Sequence, residues 1–314
     1  GQSLWQILPL GHTGYGDSPY QAFSAFAGQP LLISPDELIK DGLLYGDDLR
    51  DYPHFNPDHI YYGDVIPAKL RILHRSYEIF KESADLCMLK EFDVFCEHEK
   101  DWLDDYALFM AGKDAHGGAC WLEWEDDLRD PDEEIKAAWC ERLADSIEYY
   151  KYIQFIFFRQ WNAIRDYAHV NGIKIVGDIP IFVALDSADV WANRELFQLE
   201  KDGYPTVVAG VPPDYFSATG QLWGNPLYDW DYHRRTGFAW WKRRCAHMAR
   251  LYDVVRIDHF RAFHAHLVGE VRHADEFLHA ALKCSHGFLG NGGITQMAGE
   301  DFLQKLFCHG ELLL

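Results

Sequence analysis

The sequence lacks the long apolar runs, the paired cysteines and the excess of positive charge that mark several large classes of protein. No run approaches the roughly 20 apolar residues that a membrane-spanning helix needs. The 314 residues carry 49 acidic against 29 basic side chains, a formal net charge of −20. Because nucleic acid and anionic membranes would repel that charge, the sequence predicts neither as a partner.

The cysteines also lack the even number and the spacing of a disulfide framework. There are seven, with no C-x-x-C pair, which predicts reduced thiols and a cytoplasmic location, or a plastid location in a eukaryote. No secretory signal opens the sequence. Since it begins with Gly1 and closes on Leu312-Leu313-Leu314, we expect both ends to be cut.

Aromatic residues, in contrast, are abundant. The 11 Trp, 17 Tyr and 20 Phe make up 15 % of the chain, and hydrophobic and charged residues make up 48 % and 25 %. The last two values are ordinary for a globular protein, which excludes disordered and fibrous architectures. The aromatic content suits a core, and it also suits a groove that binds flat, neutral ligands.

Short apolar runs alternate with helical patterns along the chain. The runs predict buried parallel strands, because they are continuous, rich in β-branched residues and followed by Gly- or Asp-bearing loops. We predict strands at Leu4–Leu10, Ile173–Val176 and Val254–Ile257, and helices over about 143–170, Ala188–Leu199 and Phe238–Leu251. More than a hundred mostly helical residues separate the first two strands, so we predict a helical insertion there.

Polar residues follow each predicted strand, at the end where α/β folds place their functional loops. The first strand leads to a loop with Tyr15, Asp17, Ser18 and Tyr20, the second to Asp178, and the third to Arg256, Asp258 and His259. Asp178 suits either a helix cap or an acceptor for a substrate hydroxyl. The histidines at 259, 264 and 266 do not have a familiar metal-ligand spacing, and we predict no metal.

Arg256 and Asp258 are two apart on a strand, so their side chains leave the same face. A neighbouring guanidinium keeps a carboxylate ionised, and an oriented carboxylate at a strand end suits a nucleophile toward an anomeric carbon. A structural ion pair that fixes the strand end explains the same spacing. The spacing alone leaves both interpretations open.

A fourth segment, residues 212–226, is predicted to be a long loop. It contains Asp214, Phe216, Gln221 and Trp223, which combine flat apolar faces with hydrogen-bonding groups. Loops of this length in a compact domain are usually functional, and such side chains can hold a sugar ring. The same aromatics could instead pin the loop to the body of the protein.

Four segments, taken together, resemble the 4-α-glucanotransferases called amylomaltases or disproportionating enzymes, glycoside hydrolase family 77. They occur in the family's order and with family-like spacing. The segments are Leu4–Pro30 (LWQILPLGHTGYGDSPYQAFSAFAGQP), Gly177–Asn193 (GDIPIFVALDSADVWAN), Val207–Trp230 and Val255–Phe263 (VRIDHFRAF).

The resemblance implies a fold and an activity. The expected fold is α/β, part of a TIM (β/α)8 barrel with a helical insertion between the first two visible strands. The implied regions are a barrel segment with a glucan-binding loop over 1–46, the insertion over 47–147, and barrel segments with a lid loop and the nucleophile strand over 148–314. The implied activity transfers a segment of an α-1,4-glucan to a 4-hydroxyl of glucose or another glucan, by a retaining double displacement without a cofactor.

Residue roles follow from the same resemblance. Asp258 matches the nucleophile and Arg256 its charge partner. Asp178 and His259 match contacts to the sugar in the cleavage subsite, and Tyr20 matches the platform beneath that sugar. The remaining matches are to the substrate lid and to a tyrosine near an additional glucan-binding surface: Asp214, Phe216, Gln221 and Trp223 in the lid, and Tyr15 for the tyrosine. Asp17 and Ser18, in the same loop as Tyr15, are further candidate substrate-binding residues.

The family's acid/base glutamate has no match in these residues. It belongs to an Ala-Glu-Asp-Leu-Gly-like stretch, and neither Glu300 nor Glu311 has that setting. A retaining mechanism needs two carboxyl groups. The alternative to an active transferase is therefore a truncated, non-catalytic relic that binds glucan weakly or not at all.

Overall fold

The computed structural model describes residues 1–211, Pro213, 217–257 and 312–313. Of the predicted site residues, Asp214, Phe216, Asp258 and His259 lie outside this described part. The architecture is α/β, as predicted. The strands are β1 (Leu4–Gln6), β2 (Lys174–Ile179), β3 (Val208–Val211), β4 (Gln221–Pro226), β5 (Val254–Ile257) and β6 (Leu312–Leu313).

The main sheet has the strand order β1–β2–β5–β6. Strands β1, β2 and β5 are parallel, and β6 pairs antiparallel to β5. Parallel neighbours need long crossovers, and the chain provides them between β1 and β2 and between β2 and β5. Strands β3 and β4 form a separate antiparallel pair.

The helical insertion is confirmed, because helices α1 to α6 lie between β1 and β2. Several begin at acidic or serine N-caps: Ser34, Asp85 and Asp132 each accept a backbone N–H of the first turn. The helices are α1 (Pro35–Lys40), α2 (Tyr62–Ser83), α3 (Leu86–Ala115), α4 (Asp126–Arg129), α5 (Glu133–Arg142), α6 (Ala144–Val170), α7 (Ala188–Ala192), α8 (Trp230–Arg235) and α9 (Ala239–Leu251).

Three sequence predictions differ from the structure in extent. The first strand ends at Gln6, since Pro9 offers no N–H to a ladder. The helix predicted over 188–199 ends at Ala192, because Asn193 leaves the helical region with φ −137° and ψ 56°. The segment predicted as one loop over 212–226 contains β4, which pairs with β3 at Gly210 and Val211.

Contacts divide the chain into two compact units. The sheet unit comprises Gly1–Pro9, Arg165–Leu185 and the described residues from Asn193 onward, and the helical unit comprises Leu10–Ile164 and Asp186–Ala192. The regional boundaries at 46 and 147 stay predictions. Within the described residues, no helix combines the length and the apolar character that crossing a membrane requires.

Two glutamines of α6 bind the chain that leads into α1, within the helical unit. The Gln154 amide accepts the Gly28 N–H at 2.7 Å and donates to the Gly28 carbonyl at 2.9 Å. The Gln160 amide accepts the Ser34 N–H at 2.7 Å and donates to the Ser34 carbonyl at 3.3 Å. We call residues 28–34 the strap. Each glutamine thereby gives one residue of the strap a partner for its N–H and a partner for its carbonyl.

Candidate functional site

Asp178 and Arg256 meet at the carboxyl ends of two neighbouring strands. They are register partners on β2 and β5, and Arg256 Nη1 lies 3.9 Å from Asp178 Oδ2. Asp178 is 2 % exposed and the Arg256 side chain 22 %. At this distance the guanidinium is within ion-pair range of the carboxylate and compensates part of the cost of burying it. The structure therefore joins two of the predicted site residues.

The opposite ends of the same strands are joined by Asp253. Its carboxylate accepts the Ile175 N–H at 2.7 Å and contacts His169 Nε2 at 2.8 Å, and its own N–H donates to the Ile175 carbonyl at 3.0 Å. These bonds fix the register of β5 on β2. A shift by one residue would turn Arg256 to the other face of the sheet.

Gly177 allows the chain before β5 to pass directly over β2. A Cβ atom at this position would lie 2.2 Å from the ring of Tyr252, closer than any two such atoms can approach. Tyr252 is 4 % exposed. A glycine is thus required beside Asp178 by close packing.

The chain that follows Asp178 is held by the β3–β4 side of the sheet unit. Asn225 Nδ2 donates to the Val183 carbonyl at 2.8 Å, and the Tyr228 hydroxyl donates to the Ile181 carbonyl at 2.8 Å. We call residues 180–185 the post-β2 segment. Asn225 and Tyr228 are almost fully buried, so their hydrogen bonds are made away from water.

Gln221 and Trp223, two of the predicted lid residues, lie two positions apart on β4. Trp223 Nε1 donates to Gln221 Oε1 at 3.0 Å. The Trp223 ring centroid is 6.3 Å from that of Phe182 in the post-β2 segment. These contacts place both predicted lid residues on an antiparallel pair that packs beside the chain leaving Asp178. Their role toward a substrate stays a prediction, and Asp214 and Phe216 lie outside the described residues.

The other predicted binding residues lie on a loop of the helical unit. A 3₁₀ turn, Tyr15–Asp17, forms its tip, where Gly16 adopts φ 66° and Asp17 φ 54°. Tyr15 is 89 % exposed and Tyr20 41 %, and Ser18 Oγ accepts the Tyr20 N–H at 3.3 Å. Two aromatic rings are thereby displayed to solvent on a tightly turned loop, an arrangement suited to contact with a sugar.

The base of this loop is held by residues that sequence reasoning missed. His12 Nδ1 lies 2.7 Å from the Tyr106 hydroxyl, which also accepts a hydrogen bond from Gln154 at 3.2 Å. Thr13 Oγ1 accepts a hydrogen bond from Gln29 at 2.8 Å. The partners are up to 94 positions apart, so no local pattern marks them.

Side chains that bind metals do not cluster in the described part of the chain. Across residues 1–211, 213 and 217–257, no three His, Cys, Asp or Glu side chains converge as a metal site would require. His259, His264 and His266 lie outside these ranges. The predicted absence of a metal and of a cofactor stays a prediction.

Comparison with known proteins gives a consistent result. A family model described as 4-alpha-glucanotransferase, glycoside hydrolase family 77, matches residues 1–276. The chain is 48 % identical over 266 residues to a 4-alpha-glucanotransferase of Synechocystis, covering 84 % of this chain and 53 % of the relative. For the Thermus thermophilus 4-alpha-glucanotransferase the identity is 49 % over 266 residues, covering 85 % and 52 %. The chain thus spans about half the length of these curated relatives.

A solved structure agrees with the sequence relatives. The amylomaltase from Streptococcus agalactiae in complex with acarbose superposes with a TM-score of 0.83 at 35 % identity, covering 98 % of this chain and 64 % of that one. The partial barrel architecture is thereby confirmed. From the family model and these relatives together, we conclude that the chain belongs to glycoside hydrolase family 77, the 4-α-glucanotransferases.

Proposed function

We propose that the chain forms part of a 4-α-glucanotransferase, which transfers a segment of an α-1,4-glucan to a 4-hydroxyl of glucose or another glucan. The observation that carries the proposal is the Asp178–Arg256 pair at the carboxyl ends of β2 and β5. It supports a polar centre at the sheet edge where α/β folds bind substrates. The acarbose held by the Streptococcus agalactiae relative supports α-glucans as the ligand class.

The proposed chemistry is a retaining double displacement centred on Asp258. Its carboxylate oxygen bonds to C1 of the donor while the C1–O4 bond breaks, and O4 takes a proton from a general acid. The 4-hydroxyl of the acceptor then bonds to C1, its proton returns to the same acid/base group, and Asp258 leaves as a carboxylate. No glutamate of residues 1–314 matches that group, so we assign this chain the nucleophile side only.

Arg256 and Asp178 take supporting roles in this proposal. Asp258 is two positions after Arg256, so the guanidinium that faces Asp178 is also placed to keep a carboxylate at 258 ionised. An ionised Asp178 accepts hydrogen bonds from sugar hydroxyls, and its burial makes those bonds strong. His259 is the second proposed contact to the same sugar.

The aromatic residues are proposed to hold the chain of sugars. Tyr20 stacks beneath the sugar that is cleaved, and Tyr15 contacts glucan at an additional surface. Asp17 and Ser18, in the same loop, also bind substrate. Asp214, Phe216, Gln221 and Trp223 form the lid, which excludes water so that a sugar hydroxyl resolves the intermediate. The exposure of Tyr15 and the Trp223–Gln221 hydrogen bond support these assignments.

A reducing location, the cytoplasm or a plastid, is proposed from the cysteines. Cys87, Cys96, Cys120 and Cys140 are free thiols. Several free cysteines in one chain are typical of compartments that keep thiols reduced.

An activated donor tests the nucleophile separately from the acid/base group. With α-maltosyl fluoride, fluoride leaves as an anion and takes no proton, so the first step needs only the attacking carboxylate. We expect mass spectrometry to show a maltosyl group on the peptide that contains Asp258. An adduct on another side chain would contradict the assignment.

Two variants control this experiment. Asp258→Asn removes the nucleophile and is expected to abolish the adduct, whereas Tyr167→Phe changes an exposed residue of α6 and is expected to leave it unchanged. Acarbose binding by calorimetry separates the two candidate functions. If the wild-type chain binds acarbose and Asp178→Asn weakens this binding, a glucan site is supported. The absence of both acarbose binding and the maltosyl adduct would indicate a non-catalytic relic.

A further inference from the structure

The guanidinium of Arg244 is buried against the backbone that follows Asp178. Arg244 lies on α9 and is 2 % exposed. Its Nη2 donates to the Pro180 carbonyl at 2.5 Å, and its Nη1 lies 3.4 Å from the Ile181 carbonyl oxygen and 3.3 Å from the Tyr228 hydroxyl. Since that hydroxyl itself donates to the Ile181 carbonyl, one arginine reaches the post-β2 segment directly and through a tyrosine.

The surroundings of Arg244 are suited to a cation that has no acidic partner. The guanidinium carbon lies 5.3 Å from the ring centroid of Trp240 and 5.1 Å from that of Trp241. Within the described part of the chain, no carboxylate forms an ion pair with Arg244. A buried charge is costly unless hydrogen bonds and ring faces compensate it. Here the hydrogen bonds that compensate the buried charge come from carbonyl oxygens of the post-β2 segment. The bonds therefore stabilise the charge and also restrain the segment.

We propose that Arg244 is a positioning residue for Asp178. Pro180 and Ile181 are two and three residues after Asp178, where β2 has ended and its ladder no longer restrains the backbone. The planar guanidinium donates hydrogen bonds to both carbonyls at once, which fixes the direction in which the chain leaves the strand. That direction sets the orientation of the Asp178 carboxylate toward the sugar. The inference rests on the proposed function of Asp178 as a sugar contact.

Three variants and a matched control test the proposal. Arg244→Met removes the hydrogen-bond donors and the charge, whereas Arg244→Lys keeps the charge but loses the planar guanidinium with its two Nη donors. Tyr228→Phe removes the hydroxyl that binds the Ile181 carbonyl. Met248→Ala is the control, because Met248 is a buried residue of the same helix, at 7 % exposure. Each is measured for thermal unfolding, acarbose affinity and hydrogen exchange of peptides covering 179–186.

We expect Arg244→Met to weaken acarbose binding about tenfold or more and to speed exchange in 179–186 by a similar factor, since small misplacements of binding groups have large effects. Arg244→Lys is expected to restore part of both, and Tyr228→Phe to show a smaller loss. Met248→Ala should lower the unfolding temperature while leaving the affinity and the exchange of this segment unchanged. Should Arg244→Met not fold, the lysine and phenylalanine variants provide the same comparison.

The outcomes separate this inference from the proposed function. A wild-type chain that neither binds acarbose nor forms the maltosyl adduct contradicts the function, and the exchange of 179–186 then decides by itself whether Arg244 holds the segment. Unchanged exchange in Arg244→Met, or an affinity loss that Met248→Ala matches, overturns the positioning role.

Discussion

At the residue scale, Gly177 shows how closely the candidate site is packed. The ring of Tyr252 occupies the space that a side chain at 177 would need, directly beside Asp178 in the sequence. Overfilled cores respond by shifting backbone or side chains, at a cost in stability. The shift here would fall on the strand that carries the buried carboxylate.

We expect Gly177→Ala to lower the free energy of unfolding by about 1–3 kcal/mol, because the added methyl cannot fit without moving Tyr252 or β2. Urea unfolding at neutral pH measures the change. Gly63→Ala is the matched control: a Cβ atom added there, in α2, would have no neighbour within 4 Å, so the substitution should be neutral or stabilising by up to about 1 kcal/mol. Equal effects of the two substitutions would contradict the packing argument.

The buried His233 predicts acid sensitivity. Burial lowers its pKa from 6.5 to about 4, and its Nε2 lies 3.2 Å from the Leu196 carbonyl oxygen. Between these two values the unfolded chain binds a proton that the folded chain does not, so stability falls as the pH is lowered through this window. The loss reaches about 3 kcal/mol near pH 4, since each pKa unit corresponds to about 1.4 kcal/mol.

Urea unfolding at a series of pH values between 7 and 4 tests this prediction. His233→Gln is expected to flatten the dependence, because the titrating group is gone while an amide donor to Leu196 remains. The exposed His54→Gln substitution controls for the exchange of imidazole for amide. Identical slopes in wild type and His233→Gln would show that the folded chain protonates His233 as readily as the unfolded one.

At the element scale, α6 organises the helical unit through its two strap-binding glutamines. Gln154 and Gly28 are both buried, whereas Gln160 and Ser34 are partly exposed. The two glutamines each make the same pair of hydrogen bonds, one in buried and one in partly exposed surroundings. They are therefore a matched pair for mutation.

We expect Gln154→Leu to cost roughly 2–4 kcal/mol of stability, because it leaves both backbone groups of Gly28 buried without their partners. Gln160→Leu should cost less, at most about 1 kcal/mol, since water can reach the groups of Ser34. Chemical denaturation of the two variants measures both values. A larger cost at 160 than at 154 would contradict the role assigned to burial.

Elements of regular period were predictable from the sequence, and elements held by distant partners were not. Strand β5 coincides with its predicted bounds, and α6 begins within a residue or two of its predicted start, because apolar spacing alone defines both. The β3–β4 pair was missed, since Gly210 and Gly224 interrupt any alternation. Arg244 and Gln154 were missed as well: their carbonyl partners are 63 to 126 positions away, and nothing local marks such a bond.

The candidate site was predictable only in part for the same reason. The position at a strand end indicated Asp178, and the two-residue spacing from Asp258 indicated Arg256. In the structure Arg256 Nη1 lies 3.9 Å from Asp178 Oδ2. Asp253 and Asn225, which fix the strands and the post-β2 segment, act on backbone groups far along the chain. Their residue types are compatible with many other roles.

At the scale of the whole molecule, β1 presents apolar side chains at the edge of the main sheet. Leu4 and Trp5 of β1 are 59 % and 45 % exposed, and Leu8, two residues after the strand, is 64 % exposed. Strand β1 is terminal in the described sheet order. An exposed apolar edge strand is a site for association with other chains. The net charge of −20 opposes such association at long range without covering the edge.

We therefore expect this chain, taken alone, to self-associate with rising concentration, and a Leu4→Lys, Leu8→Lys double variant to remain smaller. Sedimentation velocity over a concentration series measures the effect. Leu86→Lys is the control, because Leu86 is also an exposed leucine, at 76 %, but lies at the start of a helix, α3, and not at a sheet edge. A wild-type chain that sediments as a monomer throughout would refute the prediction.

The spacing of Gln154 and Gln160 on α6 restricts the length of the strap that they bind. Gln154 and Gln160 are six helical residues apart, so their amides are separated by about 9 Å along α6 and about 120° around it. Gly28 and Ser34, which bind these amides, are also six residues apart. A single insertion or deletion between Gln154 and Gln160, or between Gly28 and Ser34, would move one side-chain amide away from its backbone partner. The strap can therefore change in length only if the spacing of the two glutamines on α6 changes with it.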